Sequence, residues 1–368
     1  MVGRKRRFLV CPAAALRLES RADHLIPSRH CHSNKSMTEI PFCDLSRAHA
    51  PIRSEMERAI VGCIDRSYFL RGPETRAFEE EWAAYCGSAH AVCCNSGTDA
   101  LTIAATALGM KEAVIPANTL PLTGIGLHRG GAEVRIGEIT EQGWLADTSA
   151  QAVPVLMFGQ LPSSDSPQAR LYDAAHAHGW KPPTGSLAAW SFYPTKTLGC
   201  LGDAGAVTTD DAALAEEMRR LCGRDDQLHD RRQITSRIDE IQAAVLRVKL
   251  RHLDAWLEQR REIGALYDEL LGPLGITLGQ PTLNHLYVVR VRDRQPLMAH
   301  LTGLGIQTKL HWETPLHQMA GPWTAVGDFP IADAWSRSIL SLPCFPGLRR
   351  DEIQRVCREI LDWHAKEA

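Results

Sequence analysis

The sequence predicts an α/β fold, with a mostly parallel sheet flanked by helices in a large domain and a small α/β domain at the C-terminal end. Short apolar runs alternate with helical patterns along much of the chain, which is typical of successive strand–helix units. These runs are apolar on both faces, as in a parallel sheet that helices cover on each side. The length of 368 residues and the hydrophobic content of 44% favour two domains around a large core.

Three segments are expected along the chain, and composition sets the first of them apart. Residues 1–36 carry eight Lys or Arg and two acidic residues, so we expect a disordered or non-native extension, with Met37 as the natural start. The apolar patch in this segment lacks a clean cleavage signal, so a secretory peptide is not predicted. Residues 37–250 are expected to form the large domain. Residues 251–368 are expected to contribute an interface helix and the small domain.

Periodicity predicts the individual elements. Apolar residues at helical spacing predict helices at residues 55–67, 75–85, 99–108, 212–222, 296–304 and 350–366, and long helices within 237–271. Strands are predicted at residues 91–94, 187–192, 206–209 and 285–291, and in a short run that ends at Tyr172. The candidate functional residues lie next to the ends of these strands.

Lys196 is the first candidate for a reactive side chain. It lies in a short loop between the predicted core strands at residues 187–192 and 206–209. An ammonium group buried there loses hydration, which lowers the lysine pKa and gives a nucleophilic amine suited to Schiff-base chemistry with an aldehyde cofactor. By position alone, a solvated loop lysine is the alternative.

The second candidate is the turn NSGT at residues 95–98, between the strand at 91–94 and a helical pattern that begins near Asp99. Small hydroxyl residues and a glycine at a strand-to-helix turn expose backbone N–H groups at the positive end of the helix, which suits a phosphate. The alternative is an ordinary helix cap made by Ser96, Thr98 or Asp99.

The third candidate, Asp173, stands at the carboxyl end of a predicted strand, where open α/β sheets place ligand-binding residues. A carboxylate there can pair with a protonated pyridine nitrogen. At ~4 Å and an effective dielectric near 20, such a pair is worth about 4 kcal/mol before desolvation. A cap for a following helix is the alternative. His176 and His178 are candidates for the same pocket, but no third ligand follows at a metal-binding spacing.

Charge and cysteine content narrow the class of protein. The formal net charge of −2 at pH 7 gives no electrostatic reason to expect a nucleic-acid partner. No apolar run reaches the length needed to cross a membrane. The eleven cysteines lack paired zinc-binding spacing, and we expect them to be reduced thiols in a cytoplasmic protein.

Together these motifs make the chain similar to the DegT/DnrJ/EryC1/StrS sugar aminotransferases, a family of pyridoxal-phosphate enzymes with the aspartate aminotransferase fold, type I. The resemblance runs from about Ile40 to the C-terminal helix. Six segments carry it in order: PFCDLSRAHAPIRSEME, FLRGPETRAFEEEWAAYCGSAHAVCCNSGTDAL, IPANTLPLTGIGLHRGGAEV, FYPTKTLGCLGDAGAVTTDD, SRIDEIQAAVLRVKL and GIQTKLHWETPLHQ.

The resemblance implies roles for individual residues. Lys196 matches the lysine that holds pyridoxal 5'-phosphate and moves a proton during the reaction. Asp173 matches the acidic partner of the pyridine nitrogen, and His176 stands beside the phenolic oxygen, where many relatives carry glutamine. The phosphate site is matched by Ser96, Gly97, Thr98 and Ser191.

The same resemblance implies a substrate side and an assembly. His311 matches a histidine associated with the sugar-nucleotide site, and Trp312 beside it is a candidate to line the substrate cleft. Relatives work as homodimers with their sites at the interface, so a homodimer is expected.

Three positions depart from the family pattern. Leu120 follows Thr119 where relatives often carry an aromatic residue that stacks on the cofactor ring. Thr235 stands where relatives carry an asparagine that reaches toward the phosphate from the neighbouring subunit. Residues 163–170 are too few for the helix that relatives have there, so we expect a loop or a partly open crossover.

The resemblance therefore implies an aminotransferase of nucleotide-amino-sugar biosynthesis, which moves an amino group from glutamate to a ketosugar on a nucleotide carrier. A cyclitol aminotransferase is an alternative with the same chemistry. A sugar dehydratase is disfavoured, because that branch replaces the lysine with histidine and Lys196 is present. A regulator or binding protein on the same fold, without turnover, is a further alternative that the three departures keep open.

Overall fold

The order of helices and strands agrees with the predicted order within the residues that the structure describes. The computed structural model describes residues 39–163, 166–223, 231–279, 282–292 and 294–367. The extension predicted at residues 1–36 lies outside this described part. Thr38–Ala368 form one compact unit, and the domain boundary expected near residue 250 stays a prediction.

Helices surround the sheets, and several of their ends follow from sequence signals. Pro73 opens the third helix, and Gly87 ends it with φ of 72°. Asp211 caps the sixth helix by accepting from two backbone N–H groups. In chain order the α-helices are α1 (Leu45–His49), α2 (Arg53–Arg66), α3 (Pro73–Cys86), α4 (Gly97–Ala107), α5 (Pro121–Arg129), α6 (Ala212–Leu221), α7 (Glu240–Leu250), α8 (Leu253–Leu271), α9 (Arg294–Gly303), α10 (Pro330–Ser338) and α11 (Arg350–Glu367).

The described strands form three sheets, with the orders β1-β6-β5-β4, β2-β3-β8 and β7-β9. In chain order the strands are β1 (His90–Cys94), β2 (Glu112–Pro116), β3 (Glu133–Gly137), β4 (Leu171–Asp173), β5 (Leu187–Ser191), β6 (Gly205–Thr209), β7 (Tyr287–Arg290), β8 (Trp323–Ala325) and β9 (Ile339–Leu342). Two isolated parallel bridges, Val114–Ala152 and Val155–Asp173, link β2 to β4 through the segment between them.

The predicted α/β class is confirmed, with mixed strand directions. The pairs β2–β3, β3–β8 and β4–β5 are parallel, whereas β6 runs antiparallel to both β1 and β5, and β7 runs antiparallel to β9. β6 reverses because the loop at residues 192–204 contains no helix that could carry a parallel crossover. The reversal sets Gly205, at the start of β6, between Cys94 and Ser191 at the carboxyl ends of β1 and β5.

Both faces of the four-stranded sheet are buried, as the continuous apolar runs predict. Along β5, Leu187 and Ala189 pack in the cluster that contains residues of α4. The alternate residues Ala188 and Trp190 pack with Trp82 of α3. A third cluster joins α8, α9 and α11 to β7 and β9.

The connection that leads into β4 contains no helix in its described residues, 161–163 and 166–170, in agreement with its short length. The rings of Tyr172 and Trp180 meet edge to face at 5.0 Å, and the Tyr172 hydroxyl accepts a hydrogen bond from the Ala169 N–H at 2.9 Å. Aromatic packing therefore takes part in covering this end of the sheet.

Candidate active site

A cavity of about 300 Å³ lies at the carboxyl ends of β1, β4 and β5. These three strands point the same way, because β1 and β5 are both antiparallel to β6 and β4 is parallel to β5. Ligands of open α/β sheets bind at this edge. Eight predicted site residues line the cavity: Ser96, Gly97, Thr98, Asp173, His176, Ser191, Lys196 and Trp312.

The N-terminal end of α4 forms one wall of the cavity. Ser96 is the helix cap, and its Oγ accepts a hydrogen bond from the Asp99 N–H at 3.1 Å. The backbone N–H groups of Gly97 and Thr98 have no partner within the helix, because the first turn of any α-helix leaves its donors unpaired. The two interpretations of this turn, a helix cap and an anion site, are therefore compatible. Ser96 caps the helix, and the N–H groups of Gly97 and Thr98 remain as donors at its N-terminal end.

Glycines allow this helix end to approach the sheet closely. A Cβ atom at Gly97 would lie 2.7 Å from Ser191 Cβ, and one at Gly205 would lie 2.3 Å from the Ser96 carbonyl oxygen. Any larger side chain at either position would push α4 away from β5 and β6. The close approach brings the Ser191 hydroxyl next to the free N–H groups of α4.

Ser236 fixes the same turn from a distant part of the chain. Its Oγ donates to Asp99 Oδ2 at 2.7 Å and accepts from the Asn95 N–H at 2.9 Å. Ser236 is fully buried, whereas the adjacent Thr235 is exposed. The predicted departure at Thr235 therefore leaves the anchoring of this turn intact.

Asp173 is a buried carboxylate at the end of β4, only 6% exposed. Its Oδ2 accepts from Thr123 Oγ1 at 2.8 Å, and its Oδ1 accepts from the Ala175 N–H at 3.1 Å. Because Thr123 donates to Asp173, the Thr119 hydroxyl at 3.1 Å donates to Thr123. Burial raises the pKa of Asp173, while the two hydrogen bonds and the positive charge of Lys196 lower it. No helix follows Asp173 directly, so the predicted alternative of a helix cap is not realised.

Lys196 is partly buried in the loop between β5 and β6. Burial lowers the pKa of Lys196 to about 8, and the negative charge of Asp173 acts in the opposite direction. The backbone N–H of Lys196 donates to the Tyr193 carbonyl at 2.8 Å, which closes a turn in the loop. The neutral, nucleophilic form of the amine is therefore a minority near pH 7, but a far larger share than for a lysine with its ordinary pKa.

His176 lines the cavity, and its ring lies between those of Trp312 and His285. Its ring is nearly parallel to that of Trp312, with centroids 5.9 Å apart and an interplanar angle of 12°. The His176 Nδ1 accepts from the Phe158 N–H at 3.3 Å. Burial lowers the pKa of His176 well below its usual range, with a further contribution from the charge of Lys196. The neutral ring therefore carries its proton on Nε2 and offers a donor.

Two of the predicted histidines lie outside the cavity. His311 is not among the residues that line it; its Nδ1 lies 2.8 Å from Ser341 Oγ, and its ring meets that of Trp312 edge to face at 5.3 Å. Its substrate role stays a prediction, with Trp312 as the residue of this pair that faces the cavity. The suggestion that His178 faces the pocket is wrong, because His178 is fully buried against Trp82 and other core aromatic rings.

Three partly exposed apolar side chains form the rim of the cavity. Leu120 is 38% exposed, Leu122 46% and Tyr193 52%. The sequence predicted an aliphatic contact at Leu120 in place of an aromatic one, and the leucine does line the cavity. Among the described ranges, no set of three His, Cys, Asp or Glu side chains is arranged to hold a metal ion. No helix in the described part of the chain has the length and apolarity needed to cross a bilayer.

Sequence reasoning missed three residues that support the site. Thr123 holds Asp173, His285 lies 3.2 Å from the hydroxyl of Thr197 next to Lys196, and the buried Lys249 donates to the Gly199 carbonyl. Burial lowers the pKa of Lys249 to about 8. The predicted helix through Lys249 carried one signal, because a lysine among apolar residues on a buried face needs an acceptor.

The chain is similar to known proteins along most of its length. The sequence model of the DegT/DnrJ/EryC1/StrS aminotransferase family matches residues 51–153 and 169–361. The interruption of the match, at residues 154–168, includes most of the described part of the short connection before β4.

Two relatives and one solved structure illustrate the similarity. The erythromycin biosynthesis sensory transduction protein EryC1 of Saccharopolyspora erythraea is 37% identical over 358 residues, which span 86% of this chain and 98% of that protein. The dTDP-3-amino-3,4,6-trideoxy-alpha-D-glucose transaminase of Streptomyces venezuelae is 34% identical over 370 residues, spanning 90% of this chain and 98% of the relative. The crystal structure of S. venezuelae DesV has a TM-score of 0.83 at 35% identity and covers 88% of this chain and 98% of its own.

Proposed function

This chain belongs to the DegT/DnrJ/EryC1/StrS aminotransferase family and is an aminotransferase, and from that premise we propose its cofactor, its substrates and the residues that carry the reaction. Aminotransferases of this fold type generally depend on pyridoxal 5'-phosphate, and we propose that cofactor here. We propose glutamate as the amino donor and a ketosugar on a nucleotide carrier as the acceptor.

The described residues fit a phosphorylated pyridine aldehyde. A phosphate at the end of α4 would meet the N–H groups of Gly97 and Thr98 and the hydroxyl of Ser191. A Cβ atom at Gly97 would approach Ser191 within 2.7 Å, so the absence of a side chain there keeps this cradle open. Backbone donors and the helix dipole favour a dianion at that point.

The observation that carries the proposal is the pairing of Lys196 with Asp173 in one cavity. Burial lowers the pKa of Lys196 to about 8, which suits an amine that must react with a carbonyl carbon. Asp173 is buried, held by two donors, and lies with Lys196 among the residues that line the cavity. An aldehyde that bears a basic ring nitrogen requires this combination, a nucleophile at one end and a carboxylate at the other.

Each residue then has a definite action. When bound, the cofactor supplies an electron sink for the carbon that loses its proton. The Lys196 Nζ would hold the cofactor and, once free, would take the proton from the carbon of glutamate that bears the nitrogen and deliver it to the former aldehyde carbon of the cofactor. Asp173 would keep a proton on the ring nitrogen, and Thr123 fixes the orientation of the Asp173 carboxylate. The Nε2–H of His176 is available as a donor to a ring oxygen.

The proposed acceptor rests on the relatives and on the open side of the cavity. The S. venezuelae relative is named as a transaminase of a dTDP-linked sugar. Trp312 and the rim residue Tyr193 supply aromatic faces at the cavity, and such faces pack well against the apolar faces of sugars and bases. We place the nucleotide-linked ketosugar on this side, with His311 behind Trp312.

We also propose that the protein is a homodimer in the cytoplasm. Five large apolar residues at the end of α2 and in the following segment are 42% to 53% exposed, which favours burial by a partner. These residues are Val61, Ile64, Tyr68, Phe69 and Leu70. Among the described residues, free thiols are present at Cys43, Cys63, Cys86, Cys94, Cys200, Cys344 and Cys357, which agrees with a reducing compartment.

A regulator without turnover is the second candidate function, because the relative from S. erythraea is named as a sensory transduction protein. The two candidates differ in the first half-reaction. An aminotransferase with pyridoxal 5'-phosphate converts glutamate to 2-oxoglutarate and is left with the amine form of its cofactor, up to one equivalent per subunit. A regulator binds ligand and produces no 2-oxoglutarate.

The test is an assay of that half-reaction. Protein loaded with pyridoxal 5'-phosphate is mixed with glutamate, and 2-oxoglutarate is measured together with the absorbance of the bound cofactor. Stoichiometric 2-oxoglutarate supports the proposed function and justifies a screen of nucleotide-linked ketosugars. Cofactor binding without a response to glutamate or any other amino acid would favour the regulator.

A further inference from the structure

One buried histidine outside the cavity contacts two of the segments that build it. His285 is 5% exposed, and its Nδ1 lies 3.2 Å from the Oγ1 of Thr197. Its ring centroid is 4.4 Å from the ring centroid of His176. Thr197 directly follows Lys196 and is 6% exposed. His285 therefore touches the neighbour of the reactive lysine and the histidine of the cavity at the same time.

The backbone around His285 is held by several hydrogen bonds. Arg260 donates to the carbonyl oxygens of Asn284 and His285, both at 3.0 Å. The Leu283 N–H donates to the Gly159 carbonyl at 2.8 Å. Because a side chain is placed accurately only when its supporting backbone is fixed, this segment can serve as a rigid reference for the residues that it contacts.

The same segment also reaches His176 through Phe158. The Phe158 carbonyl accepts from the Leu286 N–H at 3.2 Å, and the Phe158 N–H donates to His176 Nδ1 at 3.3 Å. Gly159 follows with φ of 90°. A Cβ atom there would lie 3.1 Å from the backbone carbonyl oxygen of His176 and 3.2 Å from the backbone nitrogen of His285. The His176 ring is therefore held in two ways by connected segments. Its Nδ1 accepts from the Phe158 N–H, and one face of the ring packs against His285.

We propose that His285 is a positioning residue, which fixes the Lys196 loop relative to His176 by holding Thr197 and packing against the His176 ring. The inference rests on the proposed function, because it takes Lys196 as the amine that holds the cofactor. His285 is absent from the residues that line the cavity, so it acts through its two neighbours. Nothing in the family resemblance assigned a role to this position.

Other hydrogen bonds also hold the loop that carries Lys196, and two of them lie close to this lysine. The Lys196 N–H donates to the Tyr193 carbonyl, and Lys249 donates to the Gly199 carbonyl. Neither of these two bonds involves the side chain of Thr197, whose hydroxyl meets His285. A displacement of about 1 Å at a reacting group can cost about 10²-fold in rate, so a single hydrogen bond at this position has a measurable effect on turnover.

The test compares three substitutions of buried threonines in the full-length protein. Thr197→Val removes the hydroxyl that meets His285, and Thr197→Ser retains it. Thr208→Val is the matched control, because Thr208 is also buried and its Oγ1 accepts from the Trp190 Nε1 at 3.0 Å, away from the cavity. Both valine variants lose one buried hydrogen bond to a heterocyclic side chain, so a general loss of stability is matched between them.

Two readouts separate positioning from stability. In the cofactor-free protein, hydrogen exchange of a peptide covering residues 193–200 reports the order of the loop. In the loaded protein, kcat and KM for glutamate report the reaction. We expect Thr197→Val to speed loop exchange and to lower kcat by about 10-fold with KM within about twofold. Thr197→Ser and Thr208→Val should stay within about twofold of the unmodified protein.

The opposite result would overturn the assignment: equal loop exchange and equal kcat in Thr197→Val and Thr208→Val. If the unmodified protein shows no half-reaction at all, the proposed function fails, while the exchange experiment still tests the positioning contact by itself.

A second pair of variants tests whether Thr197 and His285 act as one unit. His285→Phe keeps a ring against His176 but lacks the nitrogen that meets Thr197. We expect it to reproduce Thr197→Val, and the double variant to lose no more than about a further twofold, because both changes remove the same bond. Multiplied losses in the double variant would show that the two residues act independently and would contradict the proposal.

Discussion

Two lysines of this protein share the same lowered pKa and lie in different surroundings. Burial lowers the pKa of both Lys196 and Lys249 to about 8. Lys196 lines the cavity, where the charge of the buried Asp173 acts on it. Lys249 is 1% exposed on α7 and donates to the carbonyl of Gly199, three residues after Lys196 in the same loop.

The different surroundings of the two lysines show that a lowered lysine pKa reports burial and does not by itself identify a reactive group. Access to a cavity and a carboxylate in that cavity distinguish Lys196. The hydrogen bond of Lys249 goes to a backbone acceptor, which is the environment of a structural side chain. The two lysines are nevertheless linked, because one supports the loop that presents the other.

The largest effect is expected from the reactive lysine. Lys196→Ala should lower turnover by at least about 10³-fold, because it removes both the amine that holds the cofactor and the group that moves the proton. The steady-state rate of transamination measures this effect, and circular dichroism checks that the fold is intact. Lys249→Met is the matched change at the other lysine. Equal losses of turnover in the two variants would remove the distinction between them.

The carboxylate that distinguishes the cavity should rank second. Asp173→Asn keeps the shape of the side chain but removes its charge, so we expect a loss of about 10²-fold in kcat. Burial raises the pKa of Asp173, and the amide should also release Lys196 from the charge that raises its own pKa. Full activity of this variant would show that no charged partner is needed opposite Lys196.

Chemical modification should separate the two lysines by access. In the cofactor-free protein, acylation of Lys196 should rise with pH around a midpoint near 8, because only the neutral amine reacts. Lys249 should remain protected at every pH at which the protein is folded, because its ammonium group is enclosed. Peptide mass spectrometry over a pH series measures both sites in one sample. Labelling of Lys249 at the rate of Lys196 would contradict the assignment.

The smallest effect is expected on stability. The pKa of Lys249 is lower in the folded chain than its ordinary value of 10.5, so between about pH 8 and 10.5 the unfolded chain binds more protons. Stability therefore rises with pH in that window, by up to about 1.4 kcal/mol per pH unit for this lysine. Lys249→Met should flatten the rise and, at the upper end of this window where Lys249 is neutral in both states, cost about 1–3 kcal/mol, because the Gly199 carbonyl loses its donor.

Urea unfolding at several pH values measures this slope. Lys196 contributes less to it, because its side chain is partly exposed and water screens the charge. A Lys249→Met variant that keeps the full slope would show that another group titrates in this window.

Local sequence patterns predicted the parts of the site that lie at strand ends. Lys196, Asp173 and the turn at residues 95–98 were each predicted from an apolar strand followed by a charged residue or by small hydroxyl residues and a glycine. The sheet brings them to one edge. The family and the α/β class are confirmed. The roles of the individual residues stay predictions that the variants above test.

The sequence did not predict the contacts that hold these residues in place. Thr123 meets Asp173 across 50 positions, Lys249 meets Gly199 across 50, and His285 meets Thr197 across 88. Such pairs depend on how helices and loops from separate segments pack, and a single chain carries no periodicity that reports them. The direction of β6 was missed for a related reason, because a short loop without a helix fixes it.

The most direct measurement identifies which lysine holds the cofactor. The protein is loaded with pyridoxal 5'-phosphate, reduced with borohydride so that the bond to the lysine becomes permanent, digested, and mapped by mass spectrometry. We expect the reduced cofactor on the peptide that contains Lys196 and none on the peptide that contains Lys249. Labelling of Lys249 or another lysine in place of Lys196, or no labelled peptide at all, would contradict the central claim.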